Sequence, residues 1–297
     1  MFKREFTPAA RGFNVSVGYL QGCESAWTHV AACCGAHTPT ADQGYVCDAP
    51  KGKDYRGYDW FDNGTPDLSA NGTNSAELIR AAATRFYAAR PASSTPTFVY
   101  LAAQNIHAPY TCEARYRQQY AADPTMTEAE KTMFGYLTEL DDVVGDVVAA
   151  MKAAGRYDHS LIIFSSDNGA PPARDVRGRN WPFRGHKSQI WEGGTRVAGF
   201  VHAPSLLPAS VRGTRSRELY HVTDWLPTIV GVAGGTVPAA LSGRDIFPSL
   251  AGGAPSPRHE MLYNINPLCD GGQAGPPKAG IRADGRWKLL TYCYSIA

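Results

Sequence analysis

The chain predicts an α/β fold, a largely parallel sheet flanked by helices, and three observations carry that expectation. Two short apolar runs, Thr97-Phe98-Val99-Tyr100-Leu101-Ala102-Ala103 and Leu161-Ile162-Ile163-Phe164, are too short for helices. Both are rich in β-branched or aromatic residues, so they read as buried strands. Between them, Met133, Leu137, Leu140, Val144, Val147, Val148 and Met151 recur at steps of three and four. That spacing is the core-facing stripe of a long helix over 127–154. Strand, helix, strand in this order implies a right-handed crossover.

Composition sets the outer bounds. A length of 297 residues suits one large α/β domain or two smaller ones. With 43% hydrophobic and 19% charged residues the chain is ordinary for a globular protein. A net charge of +2 gives neither a nucleic-acid footprint nor a basic membrane patch. No apolar run is long enough to span a bilayer. The start, Met1-Phe2-Lys3-Arg4-Glu5-Phe6, lacks the apolar stretch of a signal peptide. The seven cysteines form no C-x-x-C pair, which argues against a zinc ribbon. Together with sequons at Asn14, Asn63 and Asn71 they suit a disulfide-bearing glycoprotein, secreted or lysosomal.

Taken in order, residues 1–60 are rich in glycine and aromatics and read as loops on the rim of a larger fold. Cys34 and Cys47 bracket a loop that a disulfide could close; an unpaired buried thiol is the alternative. Residues 74–90 read as a helix, with Asn74 as cap, Glu77 as its capping-box partner, and Leu78, Ile79, Ala82 and Phe86 on one face. The run at 97–103 ends in Gln104-Asn105-Ile106-His107-Ala108-Pro109, so His107 stands at a strand exit. Thr127 and Glu130 form a capping box for the long helix, Gly155 closes it, and Asp141-Asp142 fall on its solvated face.

The run at 161–164 ends in Ser165-Ser166-Asp167-Asn168-Gly169. Read alone, Asp-Asn-Gly after a strand is a turn. At the exit edge of a parallel strand, where α/β sheets bind ligands, Asp167 and Asn168 also offer the hard oxygen donors that Ca²⁺ or Mg²⁺ takes. Arg184-Gly185-His186-Lys187 and Trp191-Glu192-Gly193-Gly194 follow, then a second apolar strand, Val197 to Val201. A later helix has Thr223 as cap, tolerates Pro227 in its first turn and ends at Gly234-Gly235, with His221 as a packing residue. Gly252 to Pro257 reads as a linker at a domain boundary. Beyond it, Glu260 to Ile265 and Ala279 to Tyr294 read as strands of a small antiparallel sheet. So small a unit benefits from a staple, and Cys269–Cys293 is the expected disulfide.

The ordered string Asp167-Asn168-Gly169, Trp181-Pro182-x-Arg184-Gly185-x-Lys187 and Trp191-Glu192-Gly193-Gly194 resembles the sulfatase family, in its arylsulfatase B-like branch. Arg11-Gly12-Phe13 with Gly18-Tyr19, and Ile281-Arg282 with Gly285, Trp287 and Lys288-Leu289-Leu290, extend the likeness to nearly the whole chain. The resemblance implies an alkaline-phosphatase-like sandwich, with residues 1–251 as part of the catalytic domain and 252–297 as the start of a small antiparallel subdomain. It implies a metal-dependent sulfuric ester hydrolase acting on a sulfated sugar or aryl sulfate. In this family a formylglycine, made from Cys or Ser in Cys/Ser-x-Pro-x-Arg by the formylglycine-generating enzyme, attacks sulfur.

Here no cysteine begins Cys-x-Pro-x-Arg, and Gly-Lys-Trp-His and the early Asp-Asp ligands are absent. The chain therefore reads as a sulfatase piece without the N-terminal formylglycine segment and the C-terminal end, not hydrolytic by itself. Carried over by the resemblance, Asp167 and Asn168 are metal ligands, for Ca²⁺ in preference to Mg²⁺. Lys187 neutralises sulfate oxygens, and His107 bonds the sulfate or protonates the departing alcohol. These residues are expected to converge around a cavity that takes a sulfate and a metal. The partner is a sulfated small molecule or glycan, with no nucleic acid and no membrane span. A non-catalytic protein binding sulfated sugars is the alternative.

Overall fold

The computed structural model describes residues 3–22, 24–32, 38–40, 44–46, 56–92, 95–172, 178–265, 279–283 and 286–291. The expected pairs Cys34–Cys47 and Cys269–Cys293 lie outside the described residues. The chain forms two compact units, Met1–Tyr157 and Asp158–Ala297.

Two packed helices frame the first unit, Ser75–Ala88 and Glu128–Ala153. Asn74 caps the first by accepting from the Ala76 amide, but Glu77 does not complete a box; it pairs with Arg80, one turn on. Thr127 and Glu130 do form the reciprocal box of the second. On both helices the expected stripe faces inward: Ile79, Met133 and Met151 are buried, and the other stripe residues except Leu137 are half-buried. Ile79, Ala83 and Tyr87 are buried on the first; Met133, Tyr136, Glu139, Val143 and Met151 on the second, while Leu137 is exposed. Glu139 is buried among them because it accepts hydrogen bonds from Asn74, Asn105 and the Glu113 amide. Asp141 and Asp142 are exposed, as read. Trp60, fully buried, centres a cluster with Ala70 and Ile79, packed by Tyr19, Tyr58 and Leu101.

The run at 97–103 requires a correction. It is not a buried strand: it carries no ladder, and Phe98, Val99 and Tyr100 are exposed. β-Propensity extends a backbone, but a strand exists only where a neighbour accepts its N–H and C=O groups.

In the second unit Ile162–Ser165 pairs antiparallel with Gly199–His202 in the register Ile163↔Val201, and Phe164 stacks on Phe200 at 5.1 Å. The pair is half-buried to exposed rather than buried. Every ladder among the described residues is antiparallel. Glu260–Ile265, Ala279–Ala283 and Trp287–Thr291 build the small three-stranded antiparallel sheet that the sequence predicts. The later helix runs Trp225–Val232, preceded by a 3₁₀ turn at Val222–Asp224. His221 rather than Thr223 caps that turn, accepting from the Thr223 amide at 3.3 Å.

The Gly252–Pro257 segment is not a loose connection. Ser256 is buried and donates to the Leu219 carbonyl at 2.7 Å. Just beyond, Arg258 grips the fully buried Asp224 through Nε at 2.9 Å and through Nη2. Those bonds, and donors from the Arg244 and His221 amides, hold the Asp224 carboxyl below its ordinary range against the upward push of burial.

Candidate functional site

The three motifs of the second unit close on one another through their glycines. As the chain leaves Ser165, the Ser166 amide donates to the Ala198 carbonyl at 3.0 Å, which carries the ladder one step further. The Gly169 amide donates to Gly194 (3.1 Å), Gly193 to Arg184 (2.8 Å) and Lys187 to Ala170 (3.0 Å). Around these bonds the backbones touch. A Cβ on Gly169 would overlap the Gly193 carbonyl; one on Gly193 the Gly185 carbonyl; one on Gly194 the carbonyls of Gln189 and His186. At Gly185, φ is +88°, and a Cβ would strike Trp191 as well. The glycines are therefore packing requirements that seat the Lys187 backbone on the Asp167-Asn168 loop.

Asn180, a residue that pattern reading passes over, staples the assembly. Its Oδ1 accepts from the Ala170 amide at 2.8 Å, and its Nδ2 donates to the carbonyls of Ala170 at 3.0 Å and Gly185 at 3.1 Å. Asp167 is exposed and accepts from the Asn168 amide through Oδ1 at 2.7 Å. Asn168 donates Nδ2 to the Gly169 carbonyl at 2.9 Å, so its side-chain oxygen is the atom left to accept or to ligate. The donor set, one carboxylate and one amide oxygen, suits a hard divalent cation but is incomplete, since Ca²⁺ takes six to eight oxygens. Among the described residues no group of three or more His, Cys, Asp or Glu is placed to hold a metal.

The neighbouring motif residue Glu192 faces the C-terminal sheet. It accepts from Lys288 Nζ at 2.9 Å and Arg282 Nη1 at 2.8 Å, and Lys288 lies 3.7 Å above the Tyr263 ring. Burial pushes the Glu192 carboxyl up, but the two cations outweigh it and hold the group below its ordinary range. The motif helix Glu192–Thr195 is thereby tied to strands some ninety residues on.

His107 belongs to the first unit. The residues before it are anchors rather than solvated polar groups. Gln104 donates to the Glu24 carbonyl at 2.7 Å and accepts from Ser75 at 2.7 Å; Asn105 donates to the Tyr136 carbonyl and to Glu139. The half-buried His107 has Nδ1 2.6 Å from the Ala108 carbonyl oxygen, to which Nδ1–H donates. Of the predicted residues, Asp167, Asn168 and Lys187 share one loop assembly; His107 is set independently.

A second polar cluster in the first unit gave no sequence signal. Glu24 and His29 are fully buried, with Glu24 Oε1 3.9 Å from His29 Nδ1, too long for a direct hydrogen bond. His29 Nε2 sits 3.1 Å from the carbonyls of Ala70 and Thr73. Among the described residues neither Glu24 oxygen nor His29 Nδ1 has a hydrogen-bond partner. Burial, opposed by His29, pushes the Glu24 carboxyl up to about 7. In the same unit Cys112 is a free thiol, raised to about 11 chiefly by burial.

With this geometry in view, comparison with known proteins gives a consistent result. The sulfatase family profile matches residues 12–235, and the chain belongs to the sulfatase family. It is 33% identical to mouse Arylsulfatase J over 98% of its own length and 46% of that protein. It is 30% identical to human Arylsulfatase A over 57% of its length and 31% of that protein. The chain thus spans less than half of these relatives. Among solved structures, Ps i-CgsB in complex with k-i-k-neocarrahexaose superposes with a TM-score of 0.76 at 22% identity, over 98% of this chain and 60% of that one. PsFucS1 sulfatase from Pseudoalteromonas sp. gives 0.54 at 20% identity, over 72% of this chain and 48% of that one. These likenesses show the sulfatase fold, with mixed helices and sheets and a small C-terminal antiparallel sheet. Among the described residues no helix is long and apolar enough to cross a membrane.

Proposed function

We propose that this chain supplies the metal-holding and sulfate-neutralising part of a sulfuric ester hydrolase of the arylsulfatase type, acting on a sulfated sugar or aryl sulfate. The observation that carries the reading is the glycine-locked assembly. It ties the loop of an oxygen-donor pair, Asp167 and Asn168, to the backbone of Lys187 through the Ala170 carbonyl and its neighbours. Asp167 and Asn168 would be part of the ligand set of a divalent cation, Ca²⁺ in preference to Mg²⁺. A bound cation of that kind supplies Lewis acidity toward sulfate oxygens. Lys187, a compact point charge, offsets negative charge on the same oxygens. His107, whose Nδ1 lies 2.6 Å from the Ala108 carbonyl oxygen, would act as the imidazolium, donating Nε2–H to a sulfate oxygen or passing that proton to the departing alcohol. A secreted or lysosomal location and partnership with the formylglycine-generating enzyme belong to the same reading.

No Cys-x-Pro-x-Arg occurs in the 297 residues. The chain is accordingly expected to bind sulfate and not to turn over an aryl sulfate. The test is calorimetric titration with sodium sulfate, with and without Ca²⁺, on wild type, Lys187→Ala and Asp167→Ala, beside an aryl sulfate assay. Sulfate binding should weaken about tenfold without Lys187, the usual worth of one charge-assisted contact, and Asp167→Ala should abolish the Ca²⁺ enhancement. Sulfate binding indifferent to both substitutions refutes the site. Turnover that disappears with either one refutes the non-catalytic expectation and reveals a nucleophile within this chain.

A further inference from the structure

Among the described residues Trp181 is the most exposed large apolar side chain, at 87%. A single exposed aromatic is ordinary on a protein surface. The support beneath this one is not. Asn180, the residue before it, spends its whole side-chain amide on Ala170 and Gly185. Its carbonyl accepts from the Phe183 amide at 2.7 Å, which closes the turn, and the Phe183 ring lies 4.7 Å beneath the Arg196 guanidinium. The indole therefore projects into solvent from a base held on both sides. The Ala170 carbonyl that Asn180 reaches at 3.0 Å also accepts the Lys187 amide at 3.0 Å. The turn that carries Trp181 and the backbone that carries Lys187 thus meet at one carbonyl oxygen. The same turn carries exposed Arg179 and Arg184, the latter 4.0 Å above Trp191.

We propose that Trp181 is a stacking platform for the pyranose ring of a sulfated saccharide, placed to hold the sugar while Lys187 holds its sulfate. An indole face carries negative quadrupolar charge and a large apolar area, and it matches the polarised C–H face of a sugar ring. A rigid aromatic loses little conformational entropy when the ligand lands, so its contribution is not spent on ordering the loop. The inference rests on the proposed sulfate site and narrows its substrate from any sulfate ester to a sulfated sugar.

The test is a titration of the 297-residue chain in Ca²⁺ buffer with four probes: sodium sulfate, galactose 4-sulfate, galactose 6-sulfate and N-acetylglucosamine 6-sulfate. Affinities are measured for wild type, Trp181→Ala, Trp181→Phe and Lys187→Ala. Trp181→Ala is expected to lose about tenfold in affinity for at least one sugar sulfate, the scale of one aromatic contact. It should leave inorganic sulfate unchanged, Trp181→Phe should recover most of the loss, and Lys187→Ala should weaken all probes together. Because Trp181 is exposed, its variants should unfold at the wild-type temperature. The platform is refuted if no sugar sulfate binds tighter than sulfate, or if Trp181→Ala affects sugar and sulfate alike. If Lys187→Ala leaves every probe unaffected, the sulfate site itself fails, an outcome distinct from failure of the platform alone.

Discussion

Substituting Glu24 by Gln should make the protein more stable at pH 8 and change it little at pH 4.5. Glu24 is fully buried, and its carboxyl titrates near 7 in the fold instead of at the ordinary 4.5. The folded chain therefore holds a proton that the unfolded chain has released. Stability from this group is fully present below pH 4.5 and drains away as pH rises through about 7. A difference of roughly two to three pKa units at about 1.4 kcal/mol each corresponds to about 3 kcal/mol over that window. Gln keeps the shape and cannot ionise, so the variant should lack this loss. Urea unfolding at half-unit pH steps, followed by fluorescence, reads the effect; buried Trp60 lies 4.6 Å from the His29 ring and reports on this core. The advantage of the variant should grow from near zero at pH 4.5 to about 3 kcal/mol at pH 8. A difference that stays flat with pH would refute the reasoning and mean that Glu24 is ionised in the fold throughout, paired with a protonated His29.

Gly169→Ala should cost more than about 3 kcal/mol in thermal unfolding, because the added methyl overlaps the Gly193 carbonyl. Gly145→Ala is the contrasting case. It lies inside the Glu128–Ala153 helix with nothing within 4 Å of the new Cβ, so it should stabilise by about 0.8 kcal/mol. Glu192→Gln should lower stability by about 2 kcal/mol near neutrality by leaving Lys288 and Arg282 underpaired. Since the Glu192 carboxyl is held low, its contribution is present above pH 4.5 and lost as pH falls through the depressed value. An acid titration of the variant should therefore lack part of the wild-type decline.

What was legible in the sequence was what is decided locally. Asn74, Thr127 and Glu130 cap helices because the donors they satisfy are two or three residues away. The three strands of the C-terminal sheet follow from short apolar runs and turns. The run at 97–103 failed because pairing is a property of two segments, and one segment shows only propensity. The inward stripes were legible at Ile79, Met133 and Met151, but buried Glu139 was not, because its partners lie 26 to 65 residues away and periodicity weighs it as an outward charge. Asn180 and the Glu24–His29 pair were invisible for the same reason. The motif glycines were visible, but the neighbours that forbid a Cβ at each of them were not.

The interlocked glycines bear on what a family signature reports. Gly169, Gly193 and Gly194 are each closed to any larger residue by another backbone, and Gly185 by its positive φ and the Trp191 side chain, whatever chemistry proceeds nearby. A descendant that had abandoned hydrolysis would keep them as long as it needed this loop to close. The same string is therefore a record of architecture before it is a record of reaction. The positions free to drift without unfolding the loop, Asp167, Lys187 and Trp181 among them, are where loss or change of activity would first be written.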